Sequence, residues 1–134
     1  MTGAAENSLM RIGELAKRAS VTQRTVRHYE SLGLLPSGER QGSGHHYYNH
    51  EALARLQKID QLKRIGLSLE EIGEVIALYF TDVTGVQAKK KVLEMMRRHL
   101  ATTEDKIAGL QAFRTDLQGH IERFERFLEL GGYL

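Results

Sequence analysis

A short stretch near the N-terminus combines guanidinium, amide, hydroxyl and imidazole side chains with the spacing of a helix. The stretch TQRTVRHYESLG starts at Thr22, a good helix N-cap, and ends at Gly33, which suits the left-handed position that closes a helix. Val26, Tyr29 and Leu32 recur every three residues and mark its apolar face. Arginine pairs with guanine, glutamine with adenine, and threonine contacts a base or a phosphate. The opposite face presents such side chains: Gln23, Arg24, Thr25, Arg27 and His28.

A second predicted helix precedes this one. In RIGELAKRAS, Ile12, Leu15 and Ala16 share one helical face, and Ser20-Val21 forms the turn. Helix, tight turn and second helix is the geometry that places a recognition helix in the major groove of DNA. By composition alone, a charged helix face is more often a solvated surface. The basic, turn-rich hairpin and the dimerising helix that follow favour DNA binding.

The next segment, LLPSGERQGSGHHYYN, holds the only proline of the chain and predicts a small β-hairpin. Turns at 36–38 and 42–44 separate short extended pieces that can pair. Adjacent residues of a strand point to opposite faces, so His45, His46 and His50 do not readily chelate one ion, and we predict no metal site. The absence of cysteine excludes disulfides, thiolate metal sites and thiol redox sensing.

Two further helices complete the predicted head. The first opens at Asn49 or His50 and ends at Gly66. Ser68 and Glu71 form a capping box for the second, which we predict to run continuously to Phe80 before a loop over 81–86. Residues at helical spacing mark the buried side of the first: Leu53, Leu56, Ile59 (or Asp60), Leu62 and Ile65.

A long helix with a heptad repeat follows. A helix of about 40 residues is roughly 60 Å long and cannot fold back on a head this small, so its apolar seam requires a second chain. Thr103 and Arg114 interrupt the seam. A coiled-coil homodimer is the simplest interpretation. The predicted dimerisation residues are Leu93, Met96, Leu100, Ile107, Leu110, Leu117, Ile121 and Phe124.

Length and charge agree with a small DNA-binding protein. The 134 residues suffice for one modest domain and an extension. Residues 1–64 carry ten Lys/Arg against six Asp/Glu, whereas residues 65–134 carry nine against eleven, which indicates an anionic partner for the first half. No apolar run approaches the roughly 20 residues of a membrane span, and the first nine residues lack signal-peptide features. We therefore predict a cytoplasmic protein without a membrane partner.

The predicted fold is mainly α: a winged helix-turn-helix head with a small β-hairpin wing, plus a long C-terminal coiled-coil dimerisation helix. The predicted divisions are an N-terminal tail (1–9), the head (10–80), a linker (81–86), the dimerisation helix (87–130) and a C-terminal tail (131–134).

Several stretches resemble the MerR family of bacterial transcription regulators, whose head reads, loosely, IGELAKxxGVSxxTIRYYExxGLLxPxRxxxGYRxY and, later, RxLGFSLxEI. The matching stretches are IGELAKRASVTQRTVRHYESLGLL, the segment from Arg40 to Tyr48, and KRIGLSLEEI from Lys63 to Ile72. The resemblance spans Ile12 to about Leu78, and the long helix agrees in kind.

This resemblance implies that the recognition helix, with Arg27 and Tyr29, meets DNA and that the wing grips phosphates. It also implies an antiparallel coiled-coil dimer, activation by underwinding of an overlong promoter spacer, and bacterial RNA polymerase as a partner. The predicted contacts to double-stranded promoter DNA are Arg18, Thr22, Gln23, Arg24, Thr25, Arg27, His28, Tyr29, Arg40, His45, His46, Tyr48 and Lys63.

The chain departs from the family pattern at two places. His46 stands where the wing of the family has an arginine, so a fixed charge is replaced by one that depends on protonation in the range where histidine titrates. His28 stands where a tyrosine is common. A histidine can still donate to a phosphate, so both remain predicted contacts.

An effector site is predicted where the long helix of one subunit meets the head of the other, with dimer packing as the alternative role. Without cysteine, soft metals, thiol oxidants and cysteine-trapped aldehydes are not the expected triggers, and no cofactor is predicted. The pattern before the long helix also resembles family members that control branched-chain amino-acid and fatty-acid breakdown, which implies an acyl thioester ligand. The candidate residues are Tyr79, Phe80, Met95, Met96 and His99.

Two other classes of function compete with promoter binding. Some chaperone modulators resemble the head of this family and act as protein-interaction modules, but they lack a basic recognition helix, which Arg24 and Arg27 provide here. An enzyme is not expected, because no set of nucleophile, base and oxyanion donor can be assembled from the sequence.

Overall fold

A computed structural model describes residues 9–42 and 44–132. Residues 1–8 of the predicted N-terminal tail, Ser43 of the wing turn and residues 133–134 of the C-terminal tail lie outside these ranges. The elements, in chain order, are β1 (Met10–Arg11), α1 (Ile12–Ala19), α2 (Gln23–Ser31), β2 (Glu39–Gln41), β3 (His45–Tyr48), α3 (His50–Arg64), α4 (Leu69–Val75), α5 (Leu78–Thr81) and α6 (Val86–Glu129).

The predicted helix starts are confirmed by their caps. The side chains of Thr22 and Asn49 accept hydrogen bonds from the first turns of α2 and α3. Ser68 and Glu71 form the complete capping box of α4, in which each side chain bonds the backbone N–H of the other residue. Short polar side chains placed where a helix has unpaired N–H groups therefore fix these boundaries.

The wing is a three-stranded antiparallel sheet in the order β1-β3-β2. The β2–β3 hairpin agrees with the hairpin predicted from the sequence. In it, Arg40 lies opposite His46. Strand β1 was not predicted: Met10 pairs with Tyr48 and Arg11 with Tyr47, which ties the start of α1 to the wing.

Two apolar residues predicted to be buried, Leu32 and Ile65, are half exposed, at 51% and 50%. In each case a left-handed glycine follows, Gly33 or Gly66, and turns the chain back over the helix end. The N–H of Leu34 then donates to the Tyr29 carbonyl, and that of Leu67 to the Leu62 carbonyl. Leu34 and Leu67 are therefore buried in place of Leu32 and Ile65.

The helix predicted to run from Leu69 to Phe80 is interrupted. α4 ends at Val75, and the N–H groups of Tyr79 and Phe80 donate three residues back, to the carbonyls of Ile76 and Ala77. Such bonds tighten a helical turn and change the direction of its side chains. The prediction of one continuous helix is wrong, and Tyr79 and Phe80 lie on the separate turn α5.

Two compact units divide the chain, one up to Met95 and one from Met96. The core of the first unit has fully buried side chains from α1, α2, α3 and α4, among them Leu15, Val26, Ile59 and Ile72. The second unit is the remainder of α6. The predicted fold class is confirmed in its helical content, its winged head and its long final helix, whereas the predicted domain boundaries stay a prediction.

Candidate nucleic-acid interface

The turn between α1 and α2 aims the polar face of α2 outward. Ser20 adopts a left-handed conformation (φ 58°), and the N–H of Val21 donates to the Ala16 carbonyl at 3.0 Å, which closes α1. Val26 and Tyr29 then face the core, at 0% and 6% exposure. The polar residues on the other side of α2 are exposed: Gln23, Arg24, Arg27 and His28.

The cationic residues on and near α2 differ in whether they have partners. Arg18 pairs with Glu14 at 2.8 Å on the surface of α1. Within the described residues, Arg24 and Arg27 form no ion pair with a carboxylate, so both are available to an external anion. The hydroxyls of Thr22 and Thr25 lie 2.9 Å apart at the helix cap and are exposed or half-buried.

Tyr29 lies beneath this surface and holds a cation at its edge. The Lys63 ammonium donates to the Tyr29 hydroxyl at 3.2 Å and lies 5.9 Å from the centre of its ring. A groove of about 280 Å³ lined by Thr22, Thr25, Tyr29 and Lys63, among others, separates α3 from the helix turn. Tyr29 therefore positions Lys63 rather than forming exposed contact surface itself.

Glu30, at the end of α2, fixes the recognition helix against the wing. Its two carboxylate oxygens accept hydrogen bonds from the Tyr48 hydroxyl at 2.7 Å and the Gly38 N–H at 3.0 Å. Charge-assisted bonds of this kind are stronger than neutral ones. These two bonds therefore link the end of α2 to both sides of the wing, at Gly38 before β2 and at Tyr48 in β3.

Tyr48, predicted to contact DNA, is 2% exposed, and its hydroxyl is the donor to Glu30. Burial, then the hydrogen bond to Glu30 and its charge, raise the pKa of Tyr48 to about 12, and the nearby Arg27 opposes this rise. The hydroxyl therefore stays protonated and remains a donor to Glu30 over the physiological pH range. Its backbone position in β3 also pairs it with Met10.

A groove of about 510 Å³ lies between α2 and the wing. Arg27 and Glu30 line it from the helix, and His45 and His46 line it from β3. Arg11 also lines the groove, so two guanidinium groups face the single carboxylate of Glu30 and the charge balance of the groove is positive. Its chemistry is that of an anion-binding cleft beside the recognition helix.

The two wing histidines have different surroundings. The guanidinium of Arg11 donates to Nδ1 of His45 at 2.9 Å. Arginine has no acceptor atom, so Nδ1 of His45 is the acceptor in this contact. His46 lies edge-on to Tyr48, with ring centres 6.3 Å apart. Arg40 donates to the Gly44 carbonyl at 3.1 Å and braces the end of the hairpin.

The candidate effector residues are divided between the two units. Met95 is 2% exposed in the core of the first unit. The rings of Tyr79 and Phe80 are half-buried and face cations of α3, with Lys58 at 4.5 Å and Arg55 at 5.2 Å from the ring centres. Burial raises the pKa of Tyr79. The other two candidates, Met96 and His99, lie in the second unit.

The predicted dimerisation residues are exposed in the single chain, at values between 37% for Met96 and 70% for Phe124. Phe113 and Phe127 extend this apolar surface at 58% and 40% exposure. Exposed aromatic and aliphatic side chains at heptad spacing are typical of an uncovered interface.

Sequence reasoning missed Arg11 and Glu30. Arg11 lies on a two-residue strand without a local signal, and its hydrogen-bond partner His45 is 34 positions away in the chain. Glu30 belongs to the stretch that resembles the family, but its role in holding the wing depends on Tyr48, which is 18 positions further along.

Within the described ranges, no three His, Cys, Asp or Glu side chains lie close enough together to hold a metal ion. None of the helices in the described part of the chain combines the length and apolar character that crossing a membrane demands.

A helix-turn-helix with an exposed cationic second helix, anchored to a β wing across a positive groove, defines a winged-helix DNA-binding protein. Residues 10–78 match the family model described as MerR HTH family regulatory protein, and residues 53–120 match the one described as MerR, DNA binding. The chain belongs to the MerR family of DNA-binding transcription regulators.

Individual relatives agree with this assignment. The chain is 34% identical to an uncharacterized HTH-type transcriptional regulator of Pseudomonas aeruginosa over 84% of this chain and 83% of that one. It is also 34% identical to the nodulation protein NolA of Bradyrhizobium elkanii over 81% of this chain, which spans only 45% of the length of NolA.

A solved structure shows the same fold. The transcription regulator PbrR691 from Ralstonia metallidurans CH34, in complex with lead(II), is 32% identical, with a TM-score of 0.67 over 82% of this chain and 84% of that one. Because the relatives and the fold are those of transcription regulators, the prediction that the chain is not an enzyme is confirmed.

Proposed function

We propose that the chain binds a pseudo-palindromic promoter operator as a homodimer and regulates transcription by distorting the DNA between the two half-sites. The observation that carries this proposal is the exposed pair Arg24 and Arg27 on α2, free of carboxylate partners among the described residues, beside the positive groove. In this proposal α2 enters the major groove, where arginine reads guanine. The wing and Lys63 contact the adjacent backbone and fix the register.

The predicted DNA contacts sort into two roles in this proposal. The exposed side chains and the half-buried Thr25 are on the DNA-facing surface: Arg18, Thr22, Gln23, Arg24, Thr25, Arg27, His28, Arg40, His45, His46 and Lys63. Tyr29 and Tyr48 are buried and act as positioning residues for Lys63 and for the wing, respectively.

The proposed homodimer is supported by the exposed seam of α6. Full burial of a large apolar side chain contributes roughly 1.5–3 kcal/mol, so leaving Leu110, Leu117, Ile121 and Phe124 in water is unfavourable by several kcal/mol in total. A second copy with the same seam covers these residues in a two-stranded coiled coil, which the family pattern implies to be antiparallel. A dimer with two recognition helices reads two half-sites, hence the pseudo-palindromic operator.

Transcriptional control is proposed to act through DNA shape, in the cytoplasm and together with bacterial RNA polymerase. Twisting or bending a promoter spacer requires elastic energy, which phosphate contacts on both sides of the spacer can supply. The effector is proposed to be a small molecule that does not react with thiols, because the chain has no cysteine. Tyr79 and Phe80 are its candidate contacts in the head, where they also stack on Lys58 and Arg55.

The test is selection of bound duplexes from a random pool, in parallel with the DNA upstream of the gene itself. We expect an inverted repeat bound by one dimer, and we expect the same repeat in the upstream fragment. Recovery of duplexes without a shared sequence would overturn sequence-specific regulation. Native mass spectrometry of the purified protein tests the effector, for which we expect a co-purified small molecule.

Distortion of the promoter is tested by transcription from templates in which the spacer within the operator is shortened by one or two base pairs. If underwinding compensates for an overlong spacer, a shortened promoter should be active without the protein. Unchanged dependence on the protein would contradict this mechanism.

A further inference from the structure

The groove between α2 and the wing contains a second arginine that the recognition helix does not supply. Arg11 lines it from β1, together with Arg27 from α2. In the sheet, Arg11 lies opposite Tyr47, next to the position where His46 replaces the arginine of the family wing. A fixed positive charge is therefore present at the wing, one strand away from the expected position.

The contact with His45 holds this arginine in place. One N–H of Arg11 is used by Nδ1 of His45 at 2.9 Å, and a guanidinium has five N–H donors in a planar fork. The other donors remain available to an anion. Nδ1 of His45 is the acceptor in this contact, because a guanidinium offers only donors.

The other groups that face Arg11 and His45 leave a positive surplus. From α2 these are Arg27 and Glu30, and from β3 they are His46 and Tyr48. Glu30 keeps its negative charge while it accepts from the Tyr48 hydroxyl and the Gly38 N–H, but it forms no ion pair with either arginine, so two guanidinium charges face one carboxylate. Two guanidinium groups without a carboxylate partner in one groove match the charge and the bidentate geometry of a phosphate.

The geometry points to Arg11 as a residue that binds a DNA backbone phosphate in this groove, jointly with Arg27, and that supplies the fixed wing charge which His46 lacks. His45 acts as its positioning residue through Nδ1, which accepts the hydrogen bond from Arg11. This assignment rests on the proposed function, since the phosphate belongs to the operator that the recognition helix reads.

The main test is a fluorescence anisotropy titration of the selected duplex at pH 8 and at several salt concentrations. Arg11→Ala should weaken binding by about tenfold and make the slope of log K against log salt shallower by about 0.9, the value for one lost phosphate contact. Arg98→Ala, which removes an exposed charge in the second unit, should change neither quantity. An unchanged affinity and slope for Arg11→Ala would overturn the assignment while the parent still binds its duplex.

A rescue experiment tests whether the charge of Arg11 in β1 takes the place of an arginine at position 46 in β3. A histidine is mostly neutral at pH 8, so adding His46→Arg to Arg11→Ala should restore the fixed charge, the affinity and the salt slope. A double variant as weak as Arg11→Ala would overturn the claim that Arg11 replaces the missing wing arginine. A parent chain that prefers no duplex overturns the proposed function itself, and the Arg11 contact with it.

Two variants of His45 test whether this residue positions Arg11. His45→Asn keeps an acceptor atom at the equivalent place and should retain affinity and salt slope, whereas His45→Ala releases Arg11 and should lose about as much as Arg11→Ala. Equal behaviour of the two variants would overturn the role of Nδ1. Thermal denaturation of each variant controls for folding, because both side chains are exposed and neither belongs to the core.

Discussion

The head and the later part of α6 both contain many apolar residues, but the two regions differ in whether these residues are buried. Every buried core residue lies at or before Met95. From Met96 to Gly132, every described residue except Gly119 is exposed, including Leu110 at 69% and Phe124 at 70%. The head buries most of its apolar side chains within one chain, whereas the apolar side chains described in the second unit are exposed. We infer that the head reads DNA and that the helix pairs two heads.

The largest expected effect comes from breaking the helix seam. Leu110→Lys combined with Leu117→Lys places charges without partners in the proposed interface, so the protein should sediment as a monomer. Operator affinity should fall by about a hundredfold or more, because two half-sites no longer act at a high effective concentration. The matched control is Ala108→Lys with Thr115→Lys, which adds the same charge at the same spacing off the seam and should remain dimeric. A dimeric seam variant would contradict the proposed interface.

A smaller effect is expected in the head, on DNA rather than on assembly. Arg27→Ala should weaken specific binding by about 1–3 kcal/mol, the range for a lost bidentate contact, and Arg24→Ala should also relax base preference. Both variants should remain dimers, which separates them from the seam variants. Arg98→Ala serves as the charge-matched control. If both variants bound the selected duplex as the parent does at equal salt, α2 would not be the recognition helix.

The hydrogen bond between Tyr48 in the wing and Glu30 in α2 should affect the stability of the fold. Tyr48→Phe removes the 2.7 Å hydrogen bond to the part-buried Glu30, and the free energy of unfolding should fall by about 1–2 kcal/mol in urea titrations. Tyr47→Phe, the neighbouring tyrosine of β3, makes no hydrogen bond through its hydroxyl to a described residue and is the control. Equal stability of the two variants would show that the Tyr48–Glu30 bond does not hold the wing.

The smallest effect is expected in the loop before α6. Asp82 accepts hydrogen bonds from the Thr84 hydroxyl and from the N–H groups of Gln87 and Thr84, which lower the pKa of its carboxyl below the usual 3.8. A lowered pKa in the folded state means that the carboxylate stabilises the fold above pH 3.8 and that this stabilisation is lost as the pH falls below it. Asp82→Asn should therefore lower the melting temperature at pH 7. The difference in melting temperature between variant and parent should shrink as the pH falls below 3.8. A difference that did not depend on pH would contradict the ionic role of Asp82.

Local signals predicted the helix caps, the glycine stops and the heptad seam, because each depends on residues within a few positions of one another. The same glycines explain two errors: Gly33 and Gly66 turn the chain so that Leu34 and Leu67, not Leu32 and Ile65, enter the core. Strand β1 could not be predicted from two residues, since its pairing with β3 joins positions 10 and 48. The groove depends on that pairing, which is why Arg11 had no signal in the sequence.

The most direct test of the division between head and helix compares two duplexes in one salt series: the full selected operator and a single half-site of equal length. We expect one dimer per full operator, an affinity that falls steeply with salt, and much weaker binding to the half-site. Equal affinity for the full operator, the half-site and a scrambled duplex would contradict the account, because the paired heads would then read no sequence.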